Sequence, residues 1–285
     1  MLLRHEKITI EKNDNYYYKE INFQSWEEYR DFLVTWRNKT IKNQYAFRGH
    51  SDNSWKINTK LDRIRPDLEN CDYSSWYRSV EIHTTKKYCN AVNIFKEKID
   101  NDNNIIEQLA IMQHYGAATR LLDITYSPFV ATFFAVAETV YMNKTKCIWA
   151  FPYYIINDRN KNILNIREYD ELYEKYNKLD IVDKNGTDII GISDYNNKLN
   201  ERQYHQQGAF LYSMSNKRTI EDLLHIYFGD YDTELLKMNF TIKDRNSFAN
   251  AINDLRSMNI TYSSLFPDME GYGKETFIDQ FIKNT

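Results

Sequence analysis

Three clusters carry side chains whose types could do chemistry: Arg48 in "AFRGH", the stretch "HYGAATRLLDITYS" from His114, and "ERQYHQQGAF" from Glu201. An arginine before a glycine at a strand end offers a forked donor for phosphate or carboxylate. The glycine, Gly49, lets a ligand approach the backbone. The plainer role for Arg48 is a pair with a surface carboxylate. His114 could move a proton near neutral pH, or simply cap the free carbonyls of a helix end beside Tyr115 and Gly116. Arg120 and Asp123 flank a short apolar run, where an unpartnered charge would cost several kcal/mol. At least one must face a cleft or a paired network. Thr119 and Thr125 are strand-end hydroxyls, and Gln206, Gln207 and His205 crowd the entrance to another strand, where Gly208 again allows close approach.

The elements that must position these residues follow from patterning. Ser25 and Glu28 form a capping box for a helix with Trp26, Tyr29, Leu33 and Trp36 at helical spacing. "YAFRG" reads as a strand and "WKINTKLDRI" as a second extended piece. Residues 74–98 are predicted helical, anchored by Trp76, Val80 and Tyr88. A further helix runs from Ile105 to Tyr115 with Gly116 as its C-cap. "TRLLDIT" is then a buried strand, and Ser127 with Pro128 starts a helix through "FVATFFAVAETV". "CIWAF", "GAFLYSM", "LLHIYF" and "LLKMNFTI" read as strands, with a short helix or turn around "TIED". "RNSFANAINDLRSM" closes the pattern as a helix with Phe248, Ala251, Ile252, Leu255 and Met258 on one face. Helices cluster early and strands late, so the fold class is α+β, one domain over residues 1–285 with a polar surface excursion at 155–200.

Composition narrows the function. The 285 residues carry 37 Lys and Arg against 40 Asp and Glu, net charge −3, so non-specific duplex binding is not expected. Three cysteines at wide spacing, without CxxC, argue for a reducing compartment and against a structural zinc site. No secretory signal is visible and the apolar run from Phe129 to Ala137 is too short to cross a bilayer, which predicts a cytoplasmic protein without a membrane partner. The 23 tyrosines could stack on bases, although aromatics ordinarily fill cores and surfaces. There is no Walker A, GxGxxG after a strand, HExxH, GxSxG or EF-hand loop.

Together the clusters resemble the FRG domain family, named for its Phe-Arg-Gly, here Phe47, Arg48 and Gly49. The resemblance continues through "QHYGAATRLLDITYSPFVATFFA" (Gln113 to Ala135), "RQYHQQGAF" (Arg202 to Phe210) and "SSLFPDMEG" (Ser263 to Gly271). The order of these parts is in turn similar to the three-part layout of ADP-ribosyltransferases. That similarity implies helices packed on a mixed, mostly antiparallel split sheet, with NAD as co-substrate and no metal. It implies catalytic roles for Arg48, His114, Asp123 and Gln206. It implies NAD-binding roles for Arg48, Gly49, Tyr115, Gly116, Thr119, Arg120, Tyr126 and Gln207. Gln206 or Gln207 would stand where the family pattern has a glutamate, with Glu201 and Asp123 as other candidate carboxylates. The implied activity is cleavage of the nicotinamide–ribose bond and modification of a protein or nucleic-acid target, by a toxin or antiphage defence effector with a possible antitoxin or defence-system partner. Two rivals stand beside it: a nucleotide or nucleic-acid binding module without chemistry, and a metal-independent RNase using Arg48 with His50, His114 or His205.

Overall fold

In the computed structural model, the described residues are 9–11, 17–40, 45–65, 73–92, 105–138, 143–163, 187–194, 201–229 and 234–283. Their strands are β1 (Thr9–Glu11), β2 (Lys19–Asn22), β3 (Tyr45–His50), β4 (Leu121–Thr125), β5 (Thr145–Pro152), β6 (Ile190–Asp194), β7 (Gly208–Ser213) and β8 (Leu236–Thr241). They form one eight-stranded mixed sheet in the order β1-β2-β8-β5-β3-β4-β7-β6. Only β2 and β8 run parallel; every other neighbouring pair is antiparallel.

The pairing is uneven. β3 is laddered to β5 from Tyr45↔Pro152 to His50↔Cys147, and β4 to β7 from Leu121↔Tyr212 to Thr125↔Gly208. Between β3 and β4, however, a single pair joins the strands, Phe47↔Thr125. The sheet is continuous there by one residue pair, and the strands part on either side of it.

Side-chain alternation gives each face its own cover. On one face Ile21, Phe47, Ile148, Ala150, Met238 and Phe240 pack beneath α1 (Trp26–Thr40), α5 (Pro128–Val136) and α9 (Arg245–Ser257). Leu121, Phe210 and Tyr212 lie in a separate cluster under α4 (Ile105–His114). The opposite face buries Ala46, Leu122, Ile124, Trp149 and Leu211 against residues of α6 (Tyr153–Ile163) and α8 (Ile220–Phe228). Ser127 caps α5 by accepting from Val130 N, with Pro128 at the first position. Nearly the whole of α5 is buried, as a helix apolar on all sides must be.

Several sequence expectations change. "LLHIYF" is not a strand but part of α8: Thr219 and Asp222 form a capping box, and the buried Ile220, Leu223, Leu224, Tyr227 and Phe228 recur at helical spacing. "WKINTKLDRI" is not extended throughout, since Thr59 and Asp62 cap a one-turn helix, α2 (Lys60–Arg63). In α3 (Tyr73–Val92) the buried positions are Tyr77, Glu81 and Thr85, one residue on from the expected anchors Trp76 and Val80. Met258 caps α9 and is exposed. Within the expected excursion at 155–200, residues of α6 and all of β6 belong to the packed structure; residues 164–186 and 195–200 lie outside the described residues.

Candidate functional site

Where β3 and β4 part, a cavity of about 390 Å³ opens, lined from β3 by Phe47, Arg48 and Gly49 and from β4 by Asp123, Ile124 and Thr125. α4 contributes Gln113 and His114, and α5 contributes Ala131 and Phe134. Arg202, Gln203 and Gln206, on or just after α7 (Glu201–His205), form another wall with Phe266, which follows α10 (Tyr262–Leu265).

Strand alternation alone would turn Arg48 away from Phe47 and Gly49. Because β4 has diverged, its guanidinium lies in the gap between the strands. Arg48 Nη1 donates to the Asp123 carbonyl oxygen at 2.6 Å and Nε donates to His50 Nε2 at 3.1 Å. The first bond satisfies a strand carbonyl beside the missing ladder. No carboxylate forms an ion pair with Arg48 among the described residues, and burial lowers its pKa, partly offset by the Asp123 charge. A guanidinium on a cavity wall with N–H groups to spare can donate to an anion.

His50 is buried and orients Arg48 as a neutral imidazole. Burial and the neighbouring Arg48 push its pKa down to about 3, although the Trp55 backbone favours the proton. Accepting from Arg48 at Nε2 leaves the ring hydrogen on Nδ1, which has no well-formed hydrogen bond among the described residues.

Asp123 faces the same cavity. Gln113 Nε2 donates to its Oδ1 at 2.8 Å, and no cation pairs with the carboxylate among the described residues. Thr119 Oγ1 donates in turn to Gln113 Oε1, and accepts from Leu121 N at 3.2 Å. The cavity thus presents a guanidinium on β3 and a carboxylate on β4.

The third wall is held from behind. Gln206 Nε2 donates to the Leu265 carbonyl at 3.1 Å, and Thr125 Oγ1 donates to the Gln206 carbonyl at 2.7 Å. Arg202 Nε donates to Asp268 Oδ2 at 2.7 Å and Nη2 to Glu270 Oε2 at 3.1 Å, with the guanidinium 5.2 Å from the Phe266 ring centre. Burial opposes its charge, but the two acids more than offset this and raise its pKa. His114 is held below its ordinary value by burial and by Arg202, against the pull of Asp268 and Glu270. Gln203 Oε1 is buried without a partner among the described residues.

The structure therefore brings Arg48, Gly49, His114, Asp123 and Gln206 around one cavity and leaves the other candidates off its wall. Arg120 makes a bidentate ion pair with Glu81, at 2.7 and 2.6 Å, and donates to the Ser213 carbonyl at 2.9 Å. At 3% and 6% exposure that pair ties β4 to α3 and β7. Thr119 is buried and acts on Gln113. Tyr126 packs edge-on against Tyr153. Tyr115 is 59% exposed, Gly116 ends α4 at φ +94°, and Gln207 takes φ +48° at the turn into β7. Gly49 is required for packing, since a Cβ there would stand 1.9 Å from the Ala131 carbonyl oxygen. Of the other carboxylate candidate, Glu201 is exposed on α7 and does not line the cavity. Of the residues proposed for RNase chemistry, His205 is exposed at the end of α7 and also lies off the wall.

Sequence reasoning missed Gln113, Thr125, Phe134, Arg202, Gln203 and Phe266 as wall residues. Gln113 and Arg202 had a signal: Gln113 opens the stretch that carries the family resemblance, and Arg202 lies in the polar "ERQYHQQGAF". Among the described residues no group of three or more His, Cys, Asp or Glu side chains could hold a metal ion, and no helix is long and apolar enough to cross a membrane.

Residues 43–144 match the family model of the FRG domain. The match takes in β3, α4, β4 and α5, hence both Arg48 and Asp123, and stops short of the α7 wall. No curated protein and no solved structure matches the chain.

Proposed function

We propose, from the premise that this chain contains an FRG domain over residues 43–144, that it is an ADP-ribosyltransferase-like enzyme that cleaves the nicotinamide–ribose bond of NAD. The observation that carries the reading is the placing on one cavity wall of Arg48 and the Asp123 carboxylate, neither of which forms a close ion pair among the described residues. A dinucleotide demands both signs of charge: an anion receptor for phosphate, and a negative group near the ribose where positive charge develops.

The residues present fit this substrate. The cavity, about 390 Å³, is in the range of small-ligand sites and holds part of a dinucleotide. Phe47, Phe134 and Phe266 give it apolar surface for a ring. The orphaned Gln203 Oε1 is an acceptor for an amide or a ribose hydroxyl.

In this reading Arg48 binds a phosphate and fixes the ribose in place. The C1′–N bond breaks with its electron pair leaving on nicotinamide. Asp123 faces the oxocarbenium character at C1′, and the acceptor nucleophile forms the new bond there and loses its proton, with His114 as the nearby group able to take it. The family resemblance extends the reading to a protein or nucleic-acid acceptor and to a toxin or defence role.

One observation favours a second reading, a binding module. Gln206, which with Gln207 is a candidate for the place of the ADP-ribosyltransferase glutamate, carries no charge and its amide is bonded to the Leu265 backbone. Nicotinamide release by the wild type, Arg48→Ala and Asp123→Asn, with and without cell lysate as acceptor source, separates the two. Release lost in both variants supports the enzyme. Saturable NAD binding with no nicotinamide under any condition supports the module.

A further inference from the structure

Thr119, Gln113 and Asp123 form a directional chain of hydrogen bonds ending at the cavity. Leu121 N donates to Thr119 Oγ1 at 3.2 Å, so the hydroxyl already accepts one hydrogen bond and its own hydrogen is available for Gln113 Oε1. With its oxygen taken, the Gln113 amide presents Nε2 to Asp123 Oδ1 at 2.8 Å. The opposite amide orientation would set oxygen against carboxylate oxygen and NH₂ against the hydroxyl hydrogen. Thr119 is 1% exposed, so its hydroxyl is not traded for water.

We propose that Gln113 is a positioning residue which, oriented by Thr119, holds the Asp123 carboxylate toward the cavity. The proposal rests on the reading of Asp123 given above only in its kinetic consequence. A neutral donor suits the task better than a cation would. A lysine or arginine at Gln113 would neutralise the charge that faces C1′, whereas an amide fixes the carboxylate and leaves its charge intact. The second carboxylate oxygen has no hydrogen bond among the described residues and remains for the ligand.

The test has two arms. In the kinetic arm, Gln113→Glu swaps the donor for an acceptor of the same shape. It is expected to lower kcat for nicotinamide release about 10- to 100-fold, as a misplaced group does, with little change in KM. Thr119→Val is expected to lower kcat in the same direction, and Thr119→Ser to restore most of it. A loss confined to KM, or equal losses in Thr119→Ser and Thr119→Val, overturns the proposal.

In the spectroscopic arm, the Gln113 side-chain amide is followed by ¹H–¹⁵N NMR, which needs no turnover and also reports whether each variant is folded. Its signals are expected to move in Asp123→Ala and in Thr119→Val, and to stay near the wild-type position in Thr119→Ser. Signals indifferent to Asp123→Ala overturn the chain of bonds whatever the kinetics. If the wild type releases no nicotinamide, the enzyme reading fails and this arm alone decides the positioning.

Discussion

Arg48 on β3 and Asp123 on β4 are joined through a backbone carbonyl, at 2.6 Å from Nη1, while their charges attract without forming a close ion pair. The guanidinium is thus fixed in position with N–H groups left to donate. Arg48→Lys keeps the charge but removes the fork that reaches both His50 and Asp123. If the proposed NAD cleavage holds, nicotinamide release by this variant falls about 10²-fold or more, with NAD affinity weakened in isothermal titration. Wild-type rates in Arg48→Lys would show that only the charge matters.

Stability should depend on pH through His50. Its folded-state pKa of about 3 lies below the ordinary value of 6.5, so the unfolded chain takes up the proton first. Above pH 6.5 the residue is neutral in both states and contributes no slope. On acidification from 6.5 toward 3 the folded state loses up to about 1.4 kcal/mol per pH unit from this group. His50→Gln, which retains an acceptor for Arg48, should show a flatter dependence of the urea midpoint over that window. Parallel curves for the two proteins would refute this assignment.

The Glu81–Arg120 pair offers a stability test remote from the cavity. Removing one partner leaves a buried charge, so Glu81→Leu should cost about 3–5 kcal/mol. The double variant Glu81→Leu with Arg120→Met should recover part of the loss, although the Ser213 carbonyl also loses its donor. Urea denaturation of the four proteins gives the coupling directly; strict additivity would mean the ion pair contributes nothing.

Gly49→Ala and Gly116→Ala separate two reasons for a glycine. At Gly49 the new Cβ would lie 1.9 Å from the Ala131 carbonyl oxygen and 3.0 Å from Ala135 N, so α5 must move. A loss of about 1–3 kcal/mol follows from such overpacking, or about 2–4 °C of Tm per kcal/mol. Gly116 has open space but φ +94°, so only backbone strain, about 1 kcal/mol, opposes the change. Thermal melts in which Gly116→Ala is the worse variant would contradict this ordering.

Local signals in the chain announced the central elements well. Gly116, the strand after it and the Ser127–Pro128 start of α5 are decided within a few residues of themselves, and the structure has them as read. α8 was misread because "LLHIYF" taken alone is an apolar run; its period shows only when Ile220 and the Thr219–Asp222 box are included. The same distinction governs the site. Arg48 and Asp123 stand out by type, whereas Gln113 acquires its part from bonds six and ten positions along the chain, and Arg202 from acids more than sixty positions away. Arg120 looked like site chemistry because Glu81, its partner, sits on α3, 39 positions earlier in the chain.

The lone Phe47↔Thr125 pair makes the cavity a joint as well as a pocket. A molecule lying against both Arg48 and Asp123 stitches the β3 side of the sheet to the β4 side. Its binding energy then acts as mechanical cohesion between two half-sheets. Occupancy should thus be visible far from the chemistry, as slower amide exchange along β4, β7 and β6, so that the filled and empty molecules differ in stiffness before any bond is broken.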